Sequence, residues 1–276
     1  MILAVLSGKG GTGKTTVAAS LARVVPDSQY VDCDVEEPNG FLFLNPEPGT
    51  VEEVMVPVPS VDPGLCTLCG ECARICQFNA IAVAGKNVLV FPELCHHCGA
   101  CALVCKPFAI TEEDRRIGVI ETDPSGSVLQ GRLDVGEPVG VPILSELKRR
   151  IDPRRPAILD CAPGASCAVV RSLEGSDYAL LVTEPTPFGL HDVSIALQLV
   201  KQMGIPAGVV LNKASEDDAA ADALCREAGV PILLRIPFSR DIAEQYSQGR
   251  LPVDTDPLWV ERFGALYDAV RKEAKA

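Results

Sequence analysis

Residues 7–16 read SGKGGTGKTT, and this segment decides how the rest of the chain is interpreted. It contains the pattern G-x-x-x-x-G-K-[ST] between an apolar, strand-like run at residues 2–6 and a helix-like run at residues 17–24. Glycines leave successive backbone N–H groups free to turn toward one anion at a helix start, where the helix dipole favours negative charge. The pattern with both flanks predicts a phosphate-binding loop rather than an ordinary glycine-rich turn.

Every residue of this loop from position 8 is a candidate nucleotide contact. Lys14 would reach the β- and γ-phosphates, and the Thr15 hydroxyl would bind Mg²⁺, which prefers oxygen ligands. The full set is Gly8, Lys9, Gly10, Gly11, Thr12, Gly13, Lys14, Thr15 and Thr16.

Lys9 is a second lysine that an ordinary phosphate-binding loop does not need. The stretch K-G-G-x-G-K-T-T resembles the deviant Walker A sequence of the MinD, ParA, Mrp and nitrogenase iron protein class of ATPases. The resemblance implies ATP hydrolysis by a homodimer, or a heterodimer with a similar ATPase. In that dimer Lys9 reaches across to the phosphates bound by the other subunit. The alternative is a solvated surface lysine.

Acidic residues follow a second strand-like run, residues 29–31. Acidic side chains at the carboxyl end of a strand in an open α/β sheet lie on the ligand side. By the same resemblance this stretch is switch I, in which Asp34 orients the attacking water and Asp32 supports the Mg²⁺ region. The alternative is that the two aspartates only cap a turn.

Residues 157–160 form an apolar run that ends in Asp160 and resembles the family's Walker B strand. The resemblance implies that Asp160 holds Mg²⁺ through water and that Gly164, in switch II, senses the γ-phosphate. It thus assigns catalytic roles to Lys9, Lys14, Asp34 and Asp160 and places Mg²⁺ near Thr15, Asp32 and Asp160.

Asn212 and Lys213 end another apolar run and resemble the family's base-recognition pair. GTP-binding relatives carry an aspartate two residues after that lysine, where this chain has Ser215. A site without the group that pairs with guanine favours adenine.

The composition is that of a globular protein, with 47% apolar and 22% charged residues in 276. The net charge of -12 would repel phosphate backbones, so nucleic acid is not expected as a partner. No apolar run approaches the roughly 18 residues that span a bilayer, and the N-terminus lacks a basic leader. We therefore expect a cytoplasmic protein.

Eight of the twelve cysteines lie in two matching blocks with the spacing C-x₂-C-x₂-C-x₃-C. This spacing, present twice, is typical of bacterial two-cluster ferredoxins, in which the fourth cysteine of each run binds the other cluster. One [4Fe-4S] cluster is therefore assigned to Cys66, Cys69, Cys72 and Cys105. The other is assigned to Cys95, Cys98, Cys101 and Cys76.

The two blocks also match outside the cysteines, because residues 78–81 correspond to residues 107–110 as in an internal duplication. Two Cys₄ zinc sites are the rival, but zinc modules usually space their ligands as separated pairs. Gln77 and Lys106 stand where a proline normally follows each run. His96 and His97 are interpreted as neighbours of the cluster or solvent-facing groups, not as ligands.

Two further cysteines lie near switch II. Cys167 stands at the offset from the switch II aspartate where nitrogenase iron proteins carry a cluster ligand, although their other ligand has no clear equivalent here. Inert packing and an activated thiol at a helix start are the alternatives. Whether Cys161 or Cys167 binds an intersubunit cluster stays open.

The fold class predicted is α/β: a mostly parallel sheet flanked by helices, with a small inserted α+β domain like a bacterial ferredoxin. Prolines concentrated in residues 45–64 mark a boundary. We assign residues 1–59 and 113–276 to the ATPase domain and residues 60–112 to the insertion. The ends of an inserted domain lie close together, so residues near 60 and 112 should be neighbours.

Three functions are compatible with these motifs. The favoured one is ATP-gated electron transfer through the two clusters to an unknown redox acceptor. A cluster carrier of the Mrp type is a second, but those relatives use a C-terminal C-x-x-C that is absent after Cys105. A MinD- or ParA-type switch with the clusters as redox sensor is the third. The last helix, residues 258–272, has a mixed-charge polar face, so we expect it to dock on the core rather than on a membrane.

Overall fold

The computed structural model describes residues 1–215 and 217–275. The strands in chain order are β1 (Ile2–Leu6), β2 (Gln29–Cys33), β3 (Thr50–Val61), β4 (Ile81–Ala84), β5 (Asn87–Val90), β6 (Ile110–Thr122), β7 (Val128–Leu133), β8 (Ala157–Cys161), β9 (Tyr178–Thr183), β10 (Ala207–Ala214) and β11 (Ile232–Pro237). The helices are α1 (Lys14–Val24), α2 (Gly40–Leu44), α3 (Glu71–Ile75), α4 (Ala100–Leu103), α5 (Val141–Arg149), α6 (Cys167–Leu173), α7 (Pro187–Gln202), α8 (Ala219–Ala228), α9 (Arg240–Ser247), α10 (Pro252–Thr255) and α11 (Pro257–Glu273), and a 3₁₀ turn spans Pro92–Leu94.

Nine strands of the described residues form one sheet in the order β11-β10-β9-β1-β8-β2-β7-β6-β3. Every pairing from β11 through to β7 is parallel, whereas the pairing of β7 with β6 and that of β6 with β3 are antiparallel. The prediction of a mostly parallel sheet flanked by helices is confirmed. The phosphate loop leaves β1 at the centre of the sheet, between β8 and β9.

Side chains of the central strands alternate between two apolar layers, as the strand period of two requires. On β1, Ala4 and Leu6 pack into the layer under α5, α6, α7 and α8. Leu3 and Val5 pack into the opposite layer, under α1, α10 and α11. Helices therefore cover both faces of the sheet, and functional groups can gather only at its edges.

The last helix, α11, lies on the core as predicted. Its apolar face buries Trp259, Phe263, Leu266 and Val270 in the same layer as α1. Within the two described stretches, the helices include none with the length and apolarity to cross a membrane.

The proline-rich segment is a strand, which the sequence interpretation did not predict. Residues 50–61 pair with β6 along their whole length as the outermost strand of the sheet. Proline cannot donate to a ladder, so Pro57 and Pro59 are tolerated because β3 has a free outer edge. Pro59 pairs with Glu112 and Ser60 with Thr111, which confirms the expected proximity of residues near 60 and 112.

Strands β3 and β6 extend past the sheet as a two-stranded arm. The pairing of β6 with β7 stops at Gly118, opposite Leu133 at the carboxyl end of β7. Residues 110–117 of β6 continue beyond that point with β3, over roughly 20 Å at the usual rise per residue. Because β7 runs parallel to β2, the arm rises from the carboxyl edge of the sheet, the edge that carries the phosphate loop.

Residues 62–109, at the tip of the arm, form a small unit that we call the cysteine module. It contains α3, α4, the 3₁₀ turn and the hairpin of β4 and β5. Its small apolar cluster joins Ala80 and Cys95 to Val58 of the arm. The module is thus packed against β3 and is not merely tethered to it.

Candidate functional site

The phosphate loop has the backbone that its glycines predict. Gly13 takes a left-handed conformation, φ 93°, immediately before Lys14 starts α1. A Cβ on Gly13 would lie 2.3 Å from the Asn212 side-chain amide, and a Cβ on Gly8 would lie 2.2 Å from the backbone of Asp192. Both glycines are needed because neighbouring elements approach the loop too closely for a side chain.

Lys14 lies among the predicted acidic residues. Its Nζ is 2.6 Å from Asp160 Oδ1 and 3.7 Å from Asp34 Oδ2. Burial alone would lower the pKa of Lys14, but Asp160, followed by Asp34 and Asp32, outweighs it and raises the pKa. The structure therefore places a buried ammonium where the phosphates of a nucleotide would lie in a P-loop.

The Asp32 carboxylate is surrounded by backbone N–H groups, which is not expected of a carboxylate that faces a metal ion. Its Oδ2 accepts hydrogen bonds from the N–H groups of Asn39 (3.0 Å) and Gly40 (2.8 Å), and its Oδ1 accepts one from Asp34 (3.1 Å). Burial and the nearby Asp160 raise the pKa of Asp32 to about 7. In this structure Asp32 holds the loop after β2, including Asp34, in place.

Asp160 also accepts a hydrogen bond that sequence reasoning missed. The Tyr30 hydroxyl, fully buried on β2, donates to Asp160 Oδ2 at 2.8 Å. With Lys14 on its other oxygen, the Asp160 carboxylate is fixed in orientation. Gly164, the predicted γ-phosphate sensor, has φ 91° and donates its N–H to the Ser7 carbonyl at 2.8 Å.

Two adjoining cavities open beside the loop. The first is polar and is lined by Lys14, Thr15, Asp34 and Asn39. The second is largely apolar and is lined by Phe238, Tyr246, Trp259, Asn212 and Lys213, among others. A polar cavity on the P-loop joined to an apolar one matches the phosphate and base ends of a nucleotide. A larger open groove between α7 and α8 lies at the opposite edge and contains none of the predicted residues.

The predicted base-recognition pair contacts the phosphate loop. Asn212 Nδ2 donates to the Thr12 carbonyl at 2.8 Å, and Lys213 Nζ donates to the Gly11 carbonyl at 3.3 Å. Ser215, at the position of the guanine-reading aspartate, donates its hydroxyl to Asp218 at 2.7 Å.

Glu184 is a second residue that sequence reasoning left without a role. It follows β9, and its carboxylate accepts hydrogen bonds from Lys9 and, at 3.0 Å, from Lys213. The hydrogen bond from Lys9, then that from Lys213, lowers the pKa of Glu184 to about 2. The signal that could have found it is an acid directly after a strand-like run, because acidic side chains at the carboxyl end of a strand lie on the ligand side of an open α/β sheet.

The cysteine module brings its eight cysteines into two groups of four. Cys66, Cys69, Cys72 and Cys105 line one small cavity. Cys76, Cys95, Cys98 and Cys101 line another. These are the two quartets that the sequence assigned to the two clusters, each with its fourth member supplied by the other run. We call them the first and second quartet.

The two halves of the module repeat each other at a spacing of 29 residues. Leu68 and His97 both take left-handed backbone conformations, with φ of 57° and 56°, and Asn79 and Phe108 both have φ 55°. The N–H of Ala80 donates to Cys76 Sγ at 3.3 Å, and the N–H of Ala109 donates to Cys105 Sγ at the same distance. Hydrogen bonds to cysteine sulfur are a feature of iron–sulfur sites, so the residues present fit the cubes.

Across the described residues, no three His, Cys, Asp or Glu side chains are close enough to hold one metal ion. A cube binds each cysteine through a different iron, so its ligands are farther apart than those of a single ion. Burial raises the pKa of the Cys72, Cys95 and Cys101 thiols. Bound iron would favour the thiolate and offset that effect.

The other cysteines do not join these groups. Cys33 and Cys161 are fully buried on adjacent strands, and burial raises the pKa of Cys161 to about 12. Cys161 is therefore not placed to bind a group at a subunit surface. Cys167 is exposed at the start of α6, which does not fit the alternative of inert packing.

The fold and the loop define the class of P-loop nucleotide-binding proteins with an open α/β sheet. Residues 3–253 match the family described as the CobQ/CobB/MinD/ParA nucleotide binding domain. This match spans most of the chain, so the chain belongs to that family.

Relatives and solved structures extend the comparison. Uncharacterized protein MJ0579 of Methanocaldococcus jannaschii is 31% identical over 257 residues, 90% of each chain. Uncharacterized ATP-binding protein MJ0823 of the same organism is 24% identical and is covered over 96% of its length. The cell division ATPase MinD of Pyrococcus furiosus superimposes with a TM-score of 0.58 at 22% identity over 98% of each chain. The septum site-determining protein MinD of Pyrococcus horikoshii, complexed with Mg-ADP, gives 0.59 at 21%, covering 98% of this chain and 95% of that one. At these identities the structures share the fold.

Proposed function

We propose that the chain is an ATP-hydrolysing iron–sulfur protein. It acts as a nucleotide-sandwich dimer and couples its nucleotide state to electron transfer through two [4Fe-4S] clusters. The observation that carries this proposal is the placement of two complete cysteine quartets on an arm that rises from the edge of the phosphate loop. A redox unit is thereby attached to the nucleotide-sensing side of the core.

The nucleotide site supports ATP hydrolysis through its charges. When phosphates enter the polar cavity, Lys14 would exchange Asp160 for phosphate oxygens, and the freed Asp160 carboxylate could act with Thr15, which lines that cavity. These two residues would hold Mg²⁺, which neutralises charge that develops during phosphoryl transfer. Asp34, whose N–H is held by Asp32 and which lines the same cavity, would orient the attacking water.

The carboxyl edge of the sheet supports a dimer. Three exposed apolar residues follow strands that end at this edge. Leu42 follows β2 and is 72% exposed, Val135 follows β7 and is fully exposed, and Phe188 follows β9 and is 78% exposed. Exposed apolar side chains at the edge that carries a nucleotide site are typical of an interaction surface. Lys9 lies at the same edge, where Glu184 neutralises it until the phosphates of the second subunit replace Glu184.

Two quartets of thiolates would hold the cubes, which accept and donate single electrons when bound. The N–H groups of Ala80, Ala109 and His97 donate to cysteine sulfur and stabilise negative charge there. Hydrogen bonds of this kind raise the reduction potential of such centres.

Anaerobic reconstitution of the full chain tests the proposal. Analysis should find about eight iron atoms per chain, since two cubes each hold four. Cys72→Ser and Cys101→Ser should each lose one cluster, while Cys225→Ser, at a buried cysteine outside the module, should lose none. Electron paramagnetic resonance identifies the clusters, and a phosphate-release assay measures hydrolysis.

Other outcomes would favour the alternative functions. ATP-dependent transfer of clusters to an apo acceptor protein would support an Mrp-type carrier. A MinD- or ParA-type switch would be supported by two results together. The cluster potentials would not change with nucleotide, and the chain would bind a partner protein only when its clusters are oxidised. Zinc in place of iron after anaerobic expression would refute all three cluster functions.

A further inference from the structure

Arg115 connects the cysteine module to a loop of the nucleotide-binding core. It lies on β6 within the arm, and its guanidinium forms a two-pronged ion pair with Glu137, with Nη1 to Oε2 at 2.8 Å. The Glu137 side chain is only 6% exposed and that of Arg115 23%. A planar fork on a carboxylate fixes orientation as well as distance, so the pair is a rigid connection.

The same guanidinium reaches the loop that carries the second quartet. Arg115 Nη1 donates to the Pro92 carbonyl at 3.3 Å. That carbonyl also accepts the N–H of Cys95 at 3.1 Å. A movement of Arg115 therefore acts on the hydrogen bond that positions a cysteine of the second quartet.

Glu137 connects to switch I on the core side. It belongs to residues 134–140, the loop between β7 and α5. At the start of that loop the N–H of Leu133 donates to the Val35 carbonyl at 2.8 Å. At its end a Cβ on Gly140 would lie 2.5 Å from the Val35 side chain. Val35 follows Asp34, so the loop is clamped on both sides to the residue beside the predicted catalytic aspartate.

The first quartet lacks this connection. In the part of the chain that the structure describes, hydrogen bonds of residues 62–74 stay within the module and the tip of the arm, as with Asp62 N–H to the Ala109 carbonyl at 2.8 Å. Its cavity is lined by Val61, Val88 and Ile110, at the far end of the arm. The second quartet instead lies against Pro57 and Pro59, nearer the sheet.

We propose that Arg115 and Glu137 are positioning residues that transmit nucleotide occupancy from switch I to the second cluster and not to the first. The proposal rests on the proposed function, since it requires both clusters. It assigns the nucleotide-responsive role to the cluster held by Cys76, Cys95, Cys98 and Cys101. The first cluster, at the outer end of the arm, then exchanges electrons without responding to nucleotide.

Redox titration of the anaerobically reconstituted full chain, followed by electron paramagnetic resonance, tests the assignment. Magnesium and the non-hydrolysable ATP analogue AMPPNP should shift the midpoint potential of one cluster and leave the other unchanged. The shifting signal should be the one missing from Cys101→Ser and present in Cys72→Ser. A shift confined to the first cluster, or an equal shift of both, would overturn the proposal.

Variants of the ion pair test the route. Arg115→Gln and Glu137→Gln should still bind AMPPNP but lose the shift, and Arg115→Lys, which keeps the charge without the fork, should retain part of it. Arg116→Gln is the matched control. Arg116 pairs with Glu53 and with Asp134 of the same loop, but among the described residues its hydrogen bonds do not reach the cysteine module. This variant should keep the full shift.

Hydrogen exchange of residues 92–98 gives a readout that does not depend on the potential. AMPPNP should change the protection of these amides in the wild type and Arg116→Gln but not in Arg115→Gln. If the wild type itself shows no shift, the proposed coupling is wrong and this inference with it. If the midpoint potential shifts in Arg115→Gln and Glu137→Gln as it does in the wild type, only this inference is wrong and the proposed function stands.

Discussion

Glu184 illustrates how much of the site depends on single charges. It neutralises both Lys9 and Lys213, two cations beside a loop that must also accept an anion. Without bound phosphate these lysines would repel each other and Lys14. A carboxylate with hydrogen bonds from both Lys9 and Lys213 offsets that repulsion.

The pKa of Glu184 predicts a pH-dependent stability. Its value of about 2 lies below the ordinary 4.5, so the ionised form stabilises the fold above pH 4.5 and this contribution is lost as pH falls toward 2. Glu184→Gln should lower the free energy of unfolding at pH 7 by about 1.5–3 kcal/mol, the range for charged hydrogen bonds. Urea unfolding should show the difference shrinking between pH 4.5 and 3.

A matched control for that experiment is Glu71→Gln, which breaks the exposed pair with Arg74. Exposed pairs contribute about 0–1 kcal/mol, so this change should have little effect. Equal destabilisation by the two substitutions would show that Glu184 is no more than a surface partner.

Asp32 predicts a pH dependence of the opposite sign. Its pKa, raised to about 7 by burial and Asp160, means that ionisation is unfavourable in the fold. The stability it contributes is present below about pH 4 and declines as pH rises toward 7, by at most about 1.4 kcal/mol per unit. Without nucleotide or Mg²⁺, Asp32→Asn should gain stability relative to the wild type over that range.

Asp123 provides the contrasting control. Burial would raise its pKa, but hydrogen bonds from Ser125 and from the Val128 N–H outweigh burial and lower it. Asp123→Asn should therefore lose stability relative to the wild type as pH rises from 3 to 5. Thermal unfolding of both variants over one pH series should show slopes of opposite sign, and parallel slopes would contradict the assignment.

The motif residues were predictable from the sequence, and the residues around them were not. Lys14 and Asp160 meet because a P-loop and a strand-ending aspartate share one sheet edge. The roles of Tyr30 and Glu184 follow from which strands are neighbours, namely β2 beside β8 and β9 beside β1. Sequence patterns give strands but not their order, so those contacts required the structure.

At the level of elements, apolar periodicity located the buried strands well. The run predicted at residues 2–6 coincides with β1, and that at residues 157–160 lies within β8. The prediction was wrong for β3, because prolines were interpreted only as breakers. A strand with one unpaired edge accepts proline, and nothing local in the sequence shows that residues 50–61 lie at such an edge.

The pairing of the arm predicts that the cysteine module can be removed. Val61 and Ile110 form the last pair of the β3–β6 ladder, so residues 62–109 can be replaced by Asn-Gly, which favours a two-residue hairpin turn. The shortened chain should fold and bind nucleotide, measured by circular dichroism and by calorimetry with AMPPNP.

A longer deletion provides the control. Removing residues 62–117 takes the fully buried Ile117 out of the core and leaves β3 without most of its partner strand. That version should unfold or aggregate. If the deletion of residues 62–109 fails in the same way, residues 60–112 are not an independent insertion.

At the level of the whole molecule, the loop, the exposed apolar residues and the arm all lie at one edge of the sheet. Leu42→Asp should weaken nucleotide-dependent dimerisation about tenfold, equivalent to ~1.4 kcal/mol, because it buries a charge in the interface. Sedimentation velocity with AMPPNP measures the effect, and hydrolysis should fall in parallel.

Ile195→Asp is the control for the dimer. Ile195 lies on α7, a helix that covers one face of the sheet, and is 45% exposed. It should leave sedimentation unchanged. A dimer lost through Ile195→Asp and kept in Leu42→Asp would place the interface on the helical face.

Pro57 and Pro59 also affect whether another strand can pair with the outer edge of β3. Pro57 and Pro59 have no amide hydrogens, and His97 Nδ1 lies 3.3 Å from the Pro57 carbonyl, so this part of β3 is a poor template for another strand. Side-by-side pairing of two copies of the chain through this margin is therefore disfavoured, which protects the protein against fibril growth at the base of the cysteine module.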